Sequence, residues 1–371
     1  MIATRVRLRS FRSYGAVEAH LGPGITVVAG RNGAGKSNLL EAIYFACTGR
    51  SCRTGNEREC VRFGESVARL EVDVTAADGT HRIAVGFEPG EAKRLTVDGA
   101  AVERLSDCAV RPLVSVFMPD RLELVTGTPA LRRAHLDQVV AALWPSRAAT
   151  RRAYSSVLAQ RNALVSAIRA GRAGRASLPA WDSELARNGI ALMADRAELV
   201  ARLAPRFSEH AEQLGLEDTP QVAYRPRSRA LDADALAAEL AERVETDLQR
   251  GFTTHGPHRD ELAFSRAGRD LRAYGSRGQQ RLGLLALLLA EREALAEARG
   301  SVPLMLLDDP MSELDPTRRE RLMEVLRRGG QSVVAATEAD LVPGADAPDV
   351  VRLAVAEGAV LQEAGRKRLA G

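Results

Sequence analysis

Lysine is almost missing from this chain: Lys36, Lys93 and Lys367 are the only three, so arginine carries nearly all of the positive charge. Alanine-rich helices share that compositional bias, and arginine counts alone therefore identify no partner. Aromatic residues make up 4% of the sequence, too few for stacking platforms to be the main grip on nucleic acid. Cys47, Cys52, Cys60 and Cys108 form no Cys-x-x-Cys pair and no zinc spacing, which points to idle or buried thiols in a reducing compartment. The longest apolar run, LGLLALLLA after Arg281, is too short to span a bilayer, and the start MIATRVRLRS has no apolar signal core. A soluble cytoplasmic protein without membrane contact is expected.

What is present is enough for real cores: 371 residues, 45% of them hydrophobic, exceed one ordinary domain and predict two lobes. The net charge of +4 permits polyanion binding without demonstrating it. Residues 1–120 read as strands around one helix, beginning with TRVRLRSF, whose Val6 and Leu8 alternate with Arg5, Arg7 and Arg9. From 121 to 250 the pattern is helical, broken by AGRAGRASLP, Pro205 and Pro220, with no sustained heptad. Strands and helices alternate again after 250. The expected organisation is an α/β head formed by 1–120 with 251–371, carrying an inserted α-helical lobe at 121–250.

Gly30-Arg31-Asn32-Gly33-Ala34-Gly35-Lys36-Ser37 satisfies the phosphate-loop pattern between a strand, ITVVAG, and a helix, SNLLEAIYFAC. Glycines let backbone N–H groups turn towards phosphates, Lys36 reaches the β- and γ-phosphates of ATP, and Ser37 is placed to ligate Mg²⁺. VPLMLLDDP supplies the acids: Asp308 ends an apolar strand and is the expected magnesium residue, and Asp309 is placed to polarise the attacking water. A third cluster, Ser276-Arg277-Gly278-Gln279, opens a helix; a hydroxyl, a bare glycine and a helix N-terminus make a second anion site, or an ordinary cap.

Together with SELD at 312–315 these motifs resemble an ABC-type (P-loop NTPase) ATPase head. The resemblance implies that Ser276, Gly278 and Gln279 act in trans, on ATP held by the other subunit of a homodimer. The stretches LRSFRSYGAVEAHLGPGITVVAGRNGAGKSNLLEAI, GRSCR, VSVFMPDRLELVTGTPALRRAHLDQ, THGPHRDEL and YGSRGQQRLGLLALLLAE are similar to one family, the bacterial RecF recombination mediators. That likeness implies a slow, DNA-dependent ATPase that dimerises on ATP and acts at gapped, duplex or junction DNA. It implies RecR and RecO as partners and RecA loading as the outcome, in recombinational repair, replication and the SOS response. It also places Arg12 near the nucleotide phosphates.

Other ABC-type heads carry glutamate where this chain has Asp309, a glutamine loop where it has Met118-Pro119-Asp120, and often a histidine where it has Thr337. An SMC or Rad50-like clamp would need a long coiled coil that the proline-broken insert does not supply, and the family landmarks argue against a transporter-type ATPase subunit. Arg5, Arg7 and Arg9 read equally as a DNA face or a solvated edge, and RAGRAGR at 169–175 as a DNA loop or a flexible tip. His258 is expected to be structural, and Asp232-Ala233-Asp234 a helix start.

Overall fold

The computed structural model describes residues 1–363. Residue contacts divide it into two compact units, Met1–Arg121 with Leu295 onward, and Leu122–Ala294. The chain runs through β1 (Ile2–Phe11), β2 (Tyr14–His20), β3 (Ile25–Ala29), α1 (Lys36–Thr48), β4 (Ala68–Ala76), β5 (Gly79–Phe87), β6 (Arg94–Val97), β7 (Ala100–Ala101) and β8 (Val114–Phe117). The second unit holds α2 (Glu123–Thr126), α3 (Pro129–Leu143), α4 (Ala148–Arg169), α5 (Leu178–Gln213), β9 (Gln221–Arg225), α6 (Ala233–Glu242), α7 (Val244–Arg250), β10 (Glu261–Arg266), β11 (Arg269–Asp270), α8 (Leu271–Tyr274) and most of α9 (Arg277–Arg299). β12 (Leu304–Asp308), α10 (Pro316–Arg328), β13 (Ser332–Ala336), β14 (Val351–Ala356) and β15 (Ala359–Gln362) complete the first unit.

Two sheets enclose α1. The antiparallel one has the order β2-β1-β4-β5-β6-β7, and the other β15-β14-β3-β13-β12-β8, parallel except at its β15 edge. Val6 and Leu8 of β1 and Leu70 and Val72 of β4 face inward, where they share a core with Leu39, Leu40 and Ile43 of α1 and Leu306 and Val333 of the second sheet. Every residue of β12 and β13 is buried, as strands covered on both faces require, which is why both read as unbroken apolar runs. The mixed α/β architecture expected from the sequence is present.

The second unit departs from expectation in two places. Its helices are joined by a three-stranded sheet, β11-β10-β9. β10 pairs with β9, from Glu261 opposite Arg225 to Ser265 opposite Gln221, so the segment 251–294, expected with the head, falls in the second unit. Pro205, expected to break a helix, lies inside the 36-residue α5. A proline removes one backbone bond, but buried Leu199, Val200, Leu203, Phe207 and Ala211 anchor the helix on both sides of it. Among the described residues no helix is long and apolar enough to cross a membrane.

Candidate nucleotide-binding site

The loop between β3 and α1 is shaped by its glycines. Gly33 and Gly35 stand at φ 81° and 115°, a region that side chains disfavour. At Gly30 a Cβ would lie 2.4 Å from the Val355 carbonyl oxygen. Tyr14 donates its hydroxyl to the Gly35 carbonyl at 2.9 Å and so pins the last turn of the loop to the neighbouring sheet. Arg31, Asn32 and Gly33 are exposed, while Ala34 is half-buried. α1 begins with no side-chain cap and no acid in its first turn, leaving its N–H groups and partial positive charge to an anion.

Lys36 is folded back onto this loop, its Nζ donating to the Gly30 carbonyl at 2.6 Å and the Arg31 carbonyl at 3.1 Å. Burial depresses its ammonium pKa, while the charges of Asp308 and Asp309 oppose the shift. Asp308 ends β12 beside Ala335 of β13, with the Ser37 hydroxyl acting to lower its pKa. Burial pushes the Asp308 carboxyl above its usual range, against the pull of Ser37, Arg53 and Lys36. Asp309 sits at φ 47°, and its N–H donates to the Ala335 carbonyl at 3.2 Å. Thus the first unit gathers Gly30 to Ser37, Asp308 and Asp309 at the C-terminal ends of β3, β12 and β13, where an open α/β sheet binds its ligand.

Arg12 lies in the β1–β2 turn, and its Nε and Nη2 both donate to Glu41 of α1 at 2.9 Å. Glu41 is fully buried; burial would raise its pKa, but Arg12, Ser51 and Arg53 hold it below the usual carboxylate range. Arg53 was not singled out by its position in the sequence. Its Nη1 donates to Asn38 at 2.9 Å and to Glu41 at 3.4 Å, and its charge acts on Asp308. The only signal for it was the stretch GRSCR. Met118 is buried, Asp120 is exposed, and Thr337 directly follows β13.

The Ser276 cluster belongs to the second unit. Ser276 N–H donates to Gln279 Oε1 at 2.9 Å and Gln279 N–H to Ser276 Oγ at 3.3 Å, a reciprocal cap that opens α9. The cap uses Ser276 Oγ as an acceptor and leaves its proton to donate elsewhere. Gly278 follows in the first turn. In the same unit, Tyr154 O–H donates to His258 Nδ1 at 2.7 Å and His258 Nε2–H to the Thr253 carbonyl at 3.0 Å, so both ring nitrogens are engaged structurally. Asp232 caps α6 by accepting from Ala235 N–H, a helix-start role. Arg175, at the end of RAGRAGR, pairs with Glu245.

Comparison with known proteins follows the same lines. A family model described as the RecF/RecN/SMC N-terminal domain matches residues 2–359. A protein of Anaeromyxobacter sp. (strain Fw109-5) named DNA replication and repair protein RecF is 39% identical over 365 residues, covering 95% of this chain and 97% of that one. A solved structure described as the recombination mediator protein RecF-ATP in the RecFOR pathway superposes with a TM-score of 0.83 at 27% identity, over 98% of each chain. An SmcHead bound to the C-winged helix domain of ScpA shares the fold, with a TM-score of 0.61 at 16% identity over 99% of each chain.

Proposed function

Because the chain belongs to the RecF family of ATPase-head proteins, we propose that it is an ATP-switched DNA-binding protein acting as a recombination mediator. The observation that supports this most directly is the uncapped start of α1, with Lys36 buried and folded onto the loop and acting with Asp308 and Asp309 across the strand ends. Exposed Arg31, Asn32 and Gly33 and the backbone of Gly33 to Ser37 fit a triphosphate. No group of three His, Cys, Asp or Glu side chains that could hold a metal occurs among the described residues. Ser37 and Asp308 fit Mg²⁺ as a hard-oxygen pair completed by phosphate and water, which would neutralise phosphate charge.

In this reading Lys36 exchanges the Gly30 and Arg31 carbonyls for phosphate oxygens, and Asp309 orients the attacking water. Arg12 acts from beside α1 through Glu41 rather than on phosphate directly. Ser276, Gly278 and Gln279 close over the γ-phosphate of the partner subunit's ATP, so ATP favours a closed homodimer. Hydrolysis is slow and DNA-dependent and serves to release DNA. The family further suggests action at gapped DNA with RecR and RecO, leading to RecA loading in repair, replication and the SOS response. The head is 1–120 with 251–371 in this functional sense, because the trans-acting cluster works with the nucleotide loop although 251–294 belongs structurally to the second unit.

The test is ATP binding and mass in solution. Lys36→Ala is expected to lose binding of a fluorescent ATP analogue and to stay monomeric. Ser276→Arg is expected to bind ATP normally and also to stay monomeric. Retention of ATP-dependent dimers by both variants would refute the proposal.

A further inference from the structure

The outer face of the antiparallel sheet has an uneven charge pattern that register makes visible. In one cross-strand row Arg5 stands opposite Asp73, and in the next Arg7 stands between Glu18 and Glu71. These are complementary rows. Arg5 Nε reaches Asp73 at 2.8 Å, Arg7 Nη1 reaches Glu71 at 2.9 Å and Nε reaches Glu18 at 3.1 Å, and Arg82 Nε reaches Asp73 at 2.9 Å. Of the two readings of this face, a DNA face or a solvated edge, the acid pairing of Arg5 and Arg7 favours the solvated edge for those two residues.

The third row is different. Arg9 stands directly opposite Arg69, Arg69 opposite Gly86, and Gly86 opposite Arg94. All three arginines are exposed, and among the described residues none of them has an ion-pair partner. Like charges directly across a strand pair oppose folding, so the fold keeps an unfavourable contact here while neutralising the two rows beside it. The row crosses four strands, about 14 Å at the usual strand spacing.

At the same end of the sheet, Arg62 N–H donates to the Ser10 carbonyl, next to Arg9, at 2.9 Å. Arg62 is likewise exposed and unpaired, and the following residue, Phe63, is fully exposed. Glu88 and Glu91 share a hollow of about 390 Å³ with Arg69 and Arg94 and bound the positive surface on that side.

We propose that Arg9, Arg69 and Arg94, with Arg62 and Phe63, form a contact surface for single-stranded DNA, the arginines on successive phosphates and the Phe63 ring against a base. The proposal rests on the DNA-binding reading above. Unpaired guanidiniums in a row complement a polyanion, and Phe63, a solvent-exposed ring next in sequence to Arg62 at this end of the sheet, can stack on unpaired bases.

The experiment is fluorescence anisotropy of the full-length protein, with ATP, against a labelled oligothymidine and a duplex of equal length, over a salt series. A triple Arg9→Gln, Arg69→Gln, Arg94→Gln variant is expected to bind the single strand at least tenfold more weakly. Its salt slope should be smaller by about 2, three phosphate contacts at roughly 0.7 each. Phe63→Ala is expected to lose about tenfold on the single strand and nothing on the duplex. ATP binding of both variants should match the parent; Phe63→Ala should melt with it, and the triple variant no lower than it, since the Arg9–Arg69 repulsion is removed. An unchanged single-strand affinity and slope in the triple variant overturns the surface, as does equal loss on duplex with Phe63→Ala. A parent protein that binds neither DNA sinks the underlying reading instead.

Discussion

Gly35 shows how much of the nucleotide loop depends on a missing side chain. A Cβ there would lie 2.9 Å from the Tyr14 hydroxyl and 3.1 Å from Ser13 Oγ, at a φ of 115°. Gly35→Ala must therefore displace Tyr14 and hold an unfavourable backbone, a cost of about 1–2 kcal/mol before relaxation. Urea unfolding should show that loss, together with weaker nucleotide binding. Asp309 is the opposite case, a side chain in the left-handed region. Its φ of 47° is better tolerated by Asp and Asn than by Glu, which gives a physical reason for the shorter acid at this position. Asp309→Asn keeps the backbone and removes the charge. ATP hydrolysis is expected to fall by a factor on the order of 100 while ATP affinity stays within a few-fold, measured by phosphate release and nucleotide titration. Hydrolysis at the parent rate would exclude Asp309 from orienting water.

Among the elements, the turn from Gly256 to Asp260 concentrates the ordering of the second unit. Arg196 donates to Asp137 through Nε at 2.8 Å and Nη2 at 3.0 Å, and to the Pro257 carbonyl at 2.8 Å. Arg132 grips Glu261 with Nε at 2.6 Å and Nη2 at 2.9 Å, and Arg133 reaches the Asp260 carbonyl at 2.8 Å. The stretches RRAHLD and GPHRDE are thus each other's partners, a pairing invisible from either alone. Burial pushes the His258 pKa down to about 4. Because the folded value is below the unfolded one, near 6.5, neutral His258 adds stability that is complete above pH 6.5. That stability is lost as pH falls towards 4, by about 3 kcal/mol. Thermal melts of the parent should drop over that window more steeply than those of His258→Asn. Parallel curves would show that His258 is protonated equally in both states.

What could be read from sequence follows the same division of scale. The nucleotide loop and the strand-end acid were legible because each is contiguous and its chemistry is local. Arg53 was not, because its relation to Asp308 spans most of the chain and only folding creates it. The 251–294 boundary failed for the same reason: β9 and β10 pair across the α6–α7 segment, and periodicity records strands but not their partners. Pro205 misled because a local backbone penalty was outweighed by burial along a long amphipathic helix.

For the whole molecule, the proposed arrangement makes a demand that no single chain can meet. If each site joins Lys36 of one subunit to Ser276 of the other, the two defects must complement each other when mixed. A dimer of one Lys36→Ala subunit and one Ser276→Arg subunit contains one site with both lesions and one site with neither. The intact site pairs the nucleotide loop of the Ser276→Arg subunit with the Ser276 cluster of the Lys36→Ala subunit. Each variant alone should hydrolyse ATP at background rates, with DNA present. Equimolar mixing should restore activity to at most about half of the parent's per total subunit, because only mixed pairs close and each mixed pair has one working site of two. Restoration should scale with the square of protein concentration where dimers are sparse. If both residues served the ATP of their own subunit, mixing would restore nothing, and the capped Ser276 turn would be no more than the start of α9.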